Sequence, residues 1–276
     1  MKLYRMQIKE KLFTGLIVFG TGLLMVSCSQ ATEGREDDSD VQESTVVVAD
    51  DSGVRITEFP VSNAFQDAVL LGGKYRDGSF NFLVENYELG SQTEDASVKM
   101  CANSDKGQHI HLIVDNEPYA AKYTSEFEHE VADGSHYILA FLSRSYHESI
   151  KSASSYQARK MDIENGNVVD FSEIDQPMLF YSRPKGTYVG KSNTEKVMLD
   201  FFLLNANIGS DHFVKAEINN EKEILFDAWK PVFLEGLPMG DNKIKLTLVD
   251  KEGLALDVPN NPVERVFTLA SDPLEM

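Results

Sequence analysis

The stretch Gly134-Ser-His-Tyr-Ile-Leu-Ala-Phe-Leu142 reads a second time, further along the chain, as Gly240-Asp-Asn-Lys-Ile-Lys-Leu-Thr-Leu248. Each copy is a glycine turn followed by apolar residues at every second position, the period of a strand with one buried face. In the second copy Ile244, Leu246 and Leu248 are apolar while Lys243, Lys245 and Thr247 are polar, which fixes the inward parity. Carried to the first copy, that parity sends Ile138, Ala140 and Leu142 inward. Tyr137, Leu139 and Phe141 then point outward, where the second copy places polar residues.

Two further stretches repeat in the same order. Phe82-Leu-Val-Glu-Asn-Tyr-Glu-Leu-Gly90 matches Phe201-Phe-Leu-Leu-Asn-Ala-Asn-Ile-Gly209, and His109-Ile-His-Leu-Ile-Val-Asp-Asn116 matches Phe213-Val-Lys-Ala-Glu-Ile-Asn-Asn220. An ordered internal repeat of short alternating runs, punctuated by Gly, Asn, Asp and Pro, predicts an all-β chain. The expected fold is two immunoglobulin-like β-sandwiches in tandem, over 59–165 and 174–270. The second match puts Ile110, Leu112 and Val114 in the core and His109 and His111 on the outer face.

The ends and the charge set the setting. Lys2, Arg5, Lys9 and Lys11 precede an apolar run, Leu12–Val26, that stops directly at Cys28. A basic start, a run too short for the ~20 residues of a spanning helix, and a small residue before the cysteine read as an export signal. Leu24-Met-Val-Ser-Cys28 resembles a bacterial lipobox, which implies cleavage after Ser27, lipid on Cys28 and an anchored protein of the outer membrane, on its periplasmic or its outer face. Removing 1–27 takes away four basic groups and Glu10, a net +3, so the formal charge of −18 becomes −21. Residues 28–58 then read as lipidated cysteine and acidic tether, with Glu33, Glu36, Asp37, Asp38, Asp40 and Glu43 against Arg35. So acidic a chain excludes nucleic acid as a partner, because a phosphate backbone needs a basic surface. With Cys28 taken by lipid, Cys101 has no disulfide partner.

Five of the six histidines, His109, His111, His129, His136 and His147, fall between Lys106 and Lys151. The first copy also carries an insertion, Ser91–Gly107, and a longer loop, Ser143–Lys151, that the second lacks. Function is therefore expected in the first copy. Two imidazoles at i and i+2 share one face of a strand, about 6.6–6.8 Å apart along it. They can approach one ion, with His147 or Cys101 as third ligand, and imidazole with thiolate suits Cu or Zn. His136 has inward parity, and His129 shares that of Phe127 and Val131. Alternatively His109, His111, Tyr137, Leu139 and Phe141 form an exposed face for a protein or peptide partner, unless the second sandwich or the insertion covers it. Arg144, His147 and Lys151 in the adjoining loop offer donors for a phosphate or carboxylate.

Enzyme signatures are few. Ser182-Arg-Pro-Lys185 fits S-x-x-K but lacks its companion K-T-G, and Cys101 near a histidine is slender support for a nucleophile. The run GQHIHLIVDN…DGSHYILAFLSRSYHESIK resembles a group of uncharacterised bacterial lipoproteins commonly labelled phosphopeptide-binding, over roughly Phe59–Ile163. The resemblance implies phosphopeptide recognition, for which Arg144 is the arginine at hand in the loop. The expectation is a non-catalytic envelope lipoprotein that binds a ligand or partner through the first sandwich. A transition-metal protein using the same histidines, and a structural or adhesive spacer, are the competing readings.

Overall fold

The two glycine-headed stretches become the central strands of two sandwiches of like topology. A computed structural model describes residues 53–272 and the two-residue strand β1 (Val46–Val47). The signal, Cys28 and the tether as far as residue 45 lie outside the described residues. So do residues 48–52. Strand β2 (Arg55–Glu58) is followed by the eight strands of the first sandwich. These are β3 (Val69–Arg76), β4 (Ser79–Glu85), β5 (His109–Val114), β6 (Ala120–Lys122), β7 (Glu126–Glu128), β8 (Gly134–Ser143), β9 (Tyr156–Glu164) and β10 (Asn167–Ser172). The second sandwich continues with β11 (Met178–Arg183), β12 (Gly186–Val189), β13 (Lys196–Leu204), β14 (His212–Ile218), β15 (Lys222–Phe226), β16 (Val232–Glu235), β17 (Gly240–Asp250) and β18 (Val263–Ala270).

In the first sandwich one sheet runs β6-β5-β8-β9-β10-β3-β4-β7. Its two halves meet through the single pair Asn167–Arg76 and close over a shared core. Leu70, Phe80 and Phe82 from one half pack there with Ile110, Leu112, Ile138, Ala140, Leu142 and Ile163 from the other. The second sandwich places β11-β13-β16-β2 against β1-β15-β14-β17-β18-β12. Its core joins Val197, Leu199 and Phe201 to Val214, Ala216, Ile244, Leu246 and Leu248. Both are immunoglobulin-like β-sandwiches. The inward parity is the one the alternation predicts, because apolar side chains at every second position can all leave water only on a common face.

Two corrections follow from the strand pairing. Arg55–Glu58, read as tether, pairs with β16 and forms the edge of the second sandwich. Its Ile56 faces that core, so the chain enters the second domain before it builds the first.

The exposed apolar face is the other correction. Leu139 and Phe141 are fully buried, and Tyr137 is half-buried. They meet the outer side of β11 and β13, where Met178, Phe180, Phe202 and Leu204 close over them with Ile113 and Tyr119. Phe141 stacks on Phe202 at 5.0 Å. At about 25 cal/mol per Å² of apolar surface, burying side chains of this size stabilises the docking by roughly 1.5–3 kcal/mol each. Across the same junction Lys151 pairs with the wholly buried Asp200 at 2.7 Å. The described residues accordingly fall in one compact unit. Among them no helix is long and apolar enough to cross a membrane.

Candidate metal centre

Three of the histidines meet at one point. β5 carries His109 and His111 on its outer face, both fully buried. The loop after β8 turns back on itself through His147 N–H to the Arg144 carbonyl (2.8 Å) and Arg144 N–H to the Glu148 carbonyl (3.0 Å). His147 sits in that turn with φ = 71°, a left-handed conformation uncommon for a residue other than glycine. The result brings His109 Nε2 to 2.9 Å from His111 Nε2 and 3.0 Å from His147 Nδ1. His147 Nδ1 and His111 Nε2 are 3.5 Å apart. These three are the group of side chains among the described residues placed to hold a metal ion.

The insertion and the loop, both peculiar to the first copy, are built against each other. Thr93 N–H donates to Ser145 Oγ (3.2 Å), Ser145 N–H to Thr93 Oγ1 (2.9 Å), and Ser104 N–H to the Ser145 carbonyl (2.9 Å). The insertion's neck closes where Gln108 N–H donates to the Ser91 carbonyl. Gly107 stands in that neck with φ = 81°, and a β-carbon there would come within 2.4 Å of the Gly90 carbonyl oxygen. The position therefore demands glycine. Its carbonyl accepts a hydrogen bond from His109 Nδ1 at 2.8 Å.

That bond decides a tautomer. With its proton on Nδ1, His109 turns a bare Nε2 lone pair toward the other two rings, the usual way a ligating histidine is oriented. Arg183 Nη1 donates to the Tyr119 hydroxyl oxygen (2.8 Å), leaving the phenolic hydrogen for His147 Nδ1 (3.2 Å). That hydrogen bond uses the lone pair of His147 Nδ1, so an ion at His147 would take the place of the Tyr119 hydroxyl there. The proton between the rings belongs to His111 Nε2, which donates to His109. His111 Nδ1 lies 3.4 Å from Ser182 Oγ, so moving that proton to Nδ1 frees the third lone pair.

Burial keeps all three rings neutral. Desolvation, opposed by the hydrogen bond to Gly107 and aided by the charges of Arg183 and Lys185, holds His109 down to about 4. Burial also lowers His111 and His147 well below the ordinary imidazole value, with Arg183 and Lys185 adding to the effect. Neutral imidazole is the form that ligates metal. A tetrahedral ion at 2.0–2.1 Å from nitrogen separates its ligand atoms by about 3.3–3.4 Å, and the observed triangle needs only small shifts to match.

The other candidate residues fare differently. Cys101 is not among the converging groups; it packs beside Phe59, Tyr146, Met198 and Phe233, and burial pushes its thiol up to about 11. Neither a thiolate ligand nor a nucleophile is expected of it. Arg144 is buried, donates to the Asn63 carbonyl and faces Glu148 at 3.5 Å. Lys151 is held by Asp200. The loop's cations are thus engaged within the protein, which overturns the reading of an anion-receiving loop. His136 bonds Asp115 (2.5 Å) and the Ala132 carbonyl (2.9 Å), away from the cluster. His129 lies beside Phe80.

Sequence reasoning missed Tyr119, Ser182, Arg183 and Lys185. Tyr119 stacks flat on His111, ring centroids 3.5 Å apart, and Lys185 Nζ lies 3.9 Å from the Tyr119 ring centre. The Ser182–Lys185 segment carried a signal as an S-x-x-K match. Its place is beside the histidines rather than in an acyl-transfer site.

No protein-family model matches the chain, and no curated protein does. Several solved structures match, two of the likenesses being as follows. One is to fibronectin(III)-like modules of Clostridium thermocellum CbhA, at 14% identity over 35% of this chain and all of that one, TM-score 0.28. Another is to SGBP-B of the Bacteroides ovatus mixed-linkage glucan utilization locus, in complex with a mixed-linkage heptasaccharide. It has 9% identity, covers 79% of this chain and 67% of that one, and has a TM-score of 0.19. Neither likeness bears on the ligand.

Proposed function

We propose that this is a non-catalytic envelope lipoprotein, anchored through Cys28, that holds one transition-metal ion on His109 Nε2, His111 Nε2 and His147 Nδ1. The observation that carries the reading is the convergence of three neutral ring nitrogens within 2.9–3.5 Å of one another. Buried histidines kept only for packing have no need to aim their lone pairs at a common point. One of these three, His109, is aimed by a partner on its other ring nitrogen, the Gly107 carbonyl. Imidazole donors suit Cu and Zn, and the half-buried His147 is the side from which an ion enters.

The test is metal uptake by protein purified without a histidine tag, followed by calorimetry with copper and zinc salts. One ion per chain, lost in His109→Ala/His111→Ala, is the expected result. Absence of saturable uptake, or uptake unchanged in the double variant, overturns the reading.

A further inference from the structure

We propose that the ion the site selects is monovalent copper, Cu(I), and that Arg183 and Lys185 set the choice by excluding divalent ions; this rests on the metal reading above. The donor set is wholly neutral. Three imidazoles converge, and no carboxylate or thiolate of the described residues joins them. A divalent ion would bring both its charges into the buried site with no anionic ligand from the chain to offset them.

Two cations stand beside it. Arg183 is buried and donates to the Tyr119 hydroxyl, which in turn touches His147 Nδ1, so the guanidinium lies two hydrogen bonds from a ligating atom. Its Nε is buried without a hydrogen-bond partner. No carboxylate of the described residues lies within ion-pair distance of it. Lys185 donates to the Tyr119 backbone carbonyl at 2.6 Å and lies against the ring that stacks on His111. Its ammonium also lacks an ion-pair partner among the described residues. A buried charge is ordinarily matched by an opposite one. Here both are left to act on whatever occupies the centre.

Imidazole alone suits zinc and copper alike, so charge is what discriminates. Coulomb repulsion from the two side chains is proportional to the charge of the ion. The cost of stripping water from the ion grows with the square of its charge. Both terms penalise Zn(II) and Cu(II) more than Cu(I), and a triangle of three nitrogens satisfies an ion content with three ligands.

The experiment uses the full chain, purified in detergent without a histidine tag. Cu(I) affinity is measured anaerobically in ascorbate against a chromogenic Cu(I) chelator, and Zn(II) affinity against a zinc dye. The expected result is one Cu(I) per chain, with Zn(II) held at least about 100-fold more weakly. Lys185→Gln, at a half-buried position, and Arg183→Gln remove one cation each. Because repulsion scales with charge, a variant that strengthens Cu(I) binding by some factor should strengthen Zn(II) binding by about its square. Lys185→Gln keeps the test open should Arg183→Gln not fold. Zn(II) held as tightly as Cu(I), or variants that shift both ions by the same factor or neither, overturn the selection and leave the metal site standing. Uptake of neither ion overturns both.

Discussion

The strand pairs β5–β8 and β14–β17 are the same device turned to opposite uses. Ile110 faces Leu142 as Val214 faces Leu248; His111 faces Phe141 as Lys215 faces Thr247; Ile113 faces Leu139 as Glu217 faces Lys245. Even the turns agree, Asp115 and Asn219 each accepting the backbone N–H of the residue that follows the turn's return, Tyr137 and Lys243. The inner faces are interchangeable. On the outer face the second copy meets water with ion pairs such as Lys245–Glu217 at 2.6 Å. The first copy is roofed by β11 and β13 and holds aromatic rings and histidines in place of the charges. A sheet face gathers three buried histidines here because a neighbouring domain removes it from water.

The comparison breaks most severely at the ligands. His109→Ala/His111→Ala should lower metal affinity by more than about 100-fold, since even the partners that merely orient ligands are worth about 10–100-fold. Replacing Lys215 and Phe213, their counterparts in the second copy, by alanine should leave uptake unchanged. Calorimetry on both double variants decides, and a loss of uptake in the second would show that the outer face of β5 is not the site.

Next in size is the roof. Leu139→Ala removes a fully buried side chain and should cost about 2–5 kcal/mol in urea unfolding. Lys245→Ala, at the same register position in the second copy, removes a partly exposed ion pair and should cost only about 0.2–1 kcal/mol. Equal losses would mean that the two sandwiches do not dock through this face in solution.

How much of this could be read from the sequence divides along the same line. Parity is local, and the second copy's lysines label the outer face, so Ile110, Leu112, Ile138 and Leu142 were legible as core. His109 and His111 were legible as their opposites. The docking of β11 and β13 was not, because alternation within one strand says nothing of which distant surface covers it. The notion of an exposed binding face failed for that reason. His147 was legible as a candidate third ligand because its loop follows β8, which pairs with β5. Cys101 was equally near in sequence but is carried by the insertion to another cluster. Tyr119 and Arg183 act through a contact between the two domains, for which strand periodicity has no signal.

Acid should weaken the metal-free protein. The unfolded chain protonates His109 near the ordinary value of 6.5, whereas the fold holds it down to about 4, with His111 and His147 lowered as well. As pH falls from about 6.5 towards 4 the unfolded state therefore binds more protons. The stability that these neutral rings allow is complete above pH 6.5 and declines below it, by up to ~1.4 kcal/mol per pH unit for each such histidine. Urea unfolding at pH 7, 6 and 5 reads the slope before most carboxylates titrate. The double histidine variant should show a shallower slope, and a flat profile in the parent protein would contradict the buried, neutral cluster.

The smallest effect tests the turns. Asp115 Oδ1 accepts the Tyr137 N–H at 2.7 Å and Asn219 Oδ1 accepts the Lys243 N–H at 2.8 Å. Both residues adopt positive φ, which Asn and Asp tolerate better than other side chains. Asparagine in place of aspartate keeps the oxygen that the turn needs and alters only the contact of Asp115 with His136. Asp115→Asn should therefore change stability by less than about 1 kcal/mol, the range of a partly exposed polar pair. Metal uptake should stay as in the parent, because His136 stands apart from the three ligands. If Asp115→Asn destabilised the chain as much as Leu139→Ala, the two turns would not be equivalent. The first copy would then depend on the Asp115–His136 contact for its fold more than the second depends on the matching Asn219–Asn242 hydrogen bond at 2.9 Å.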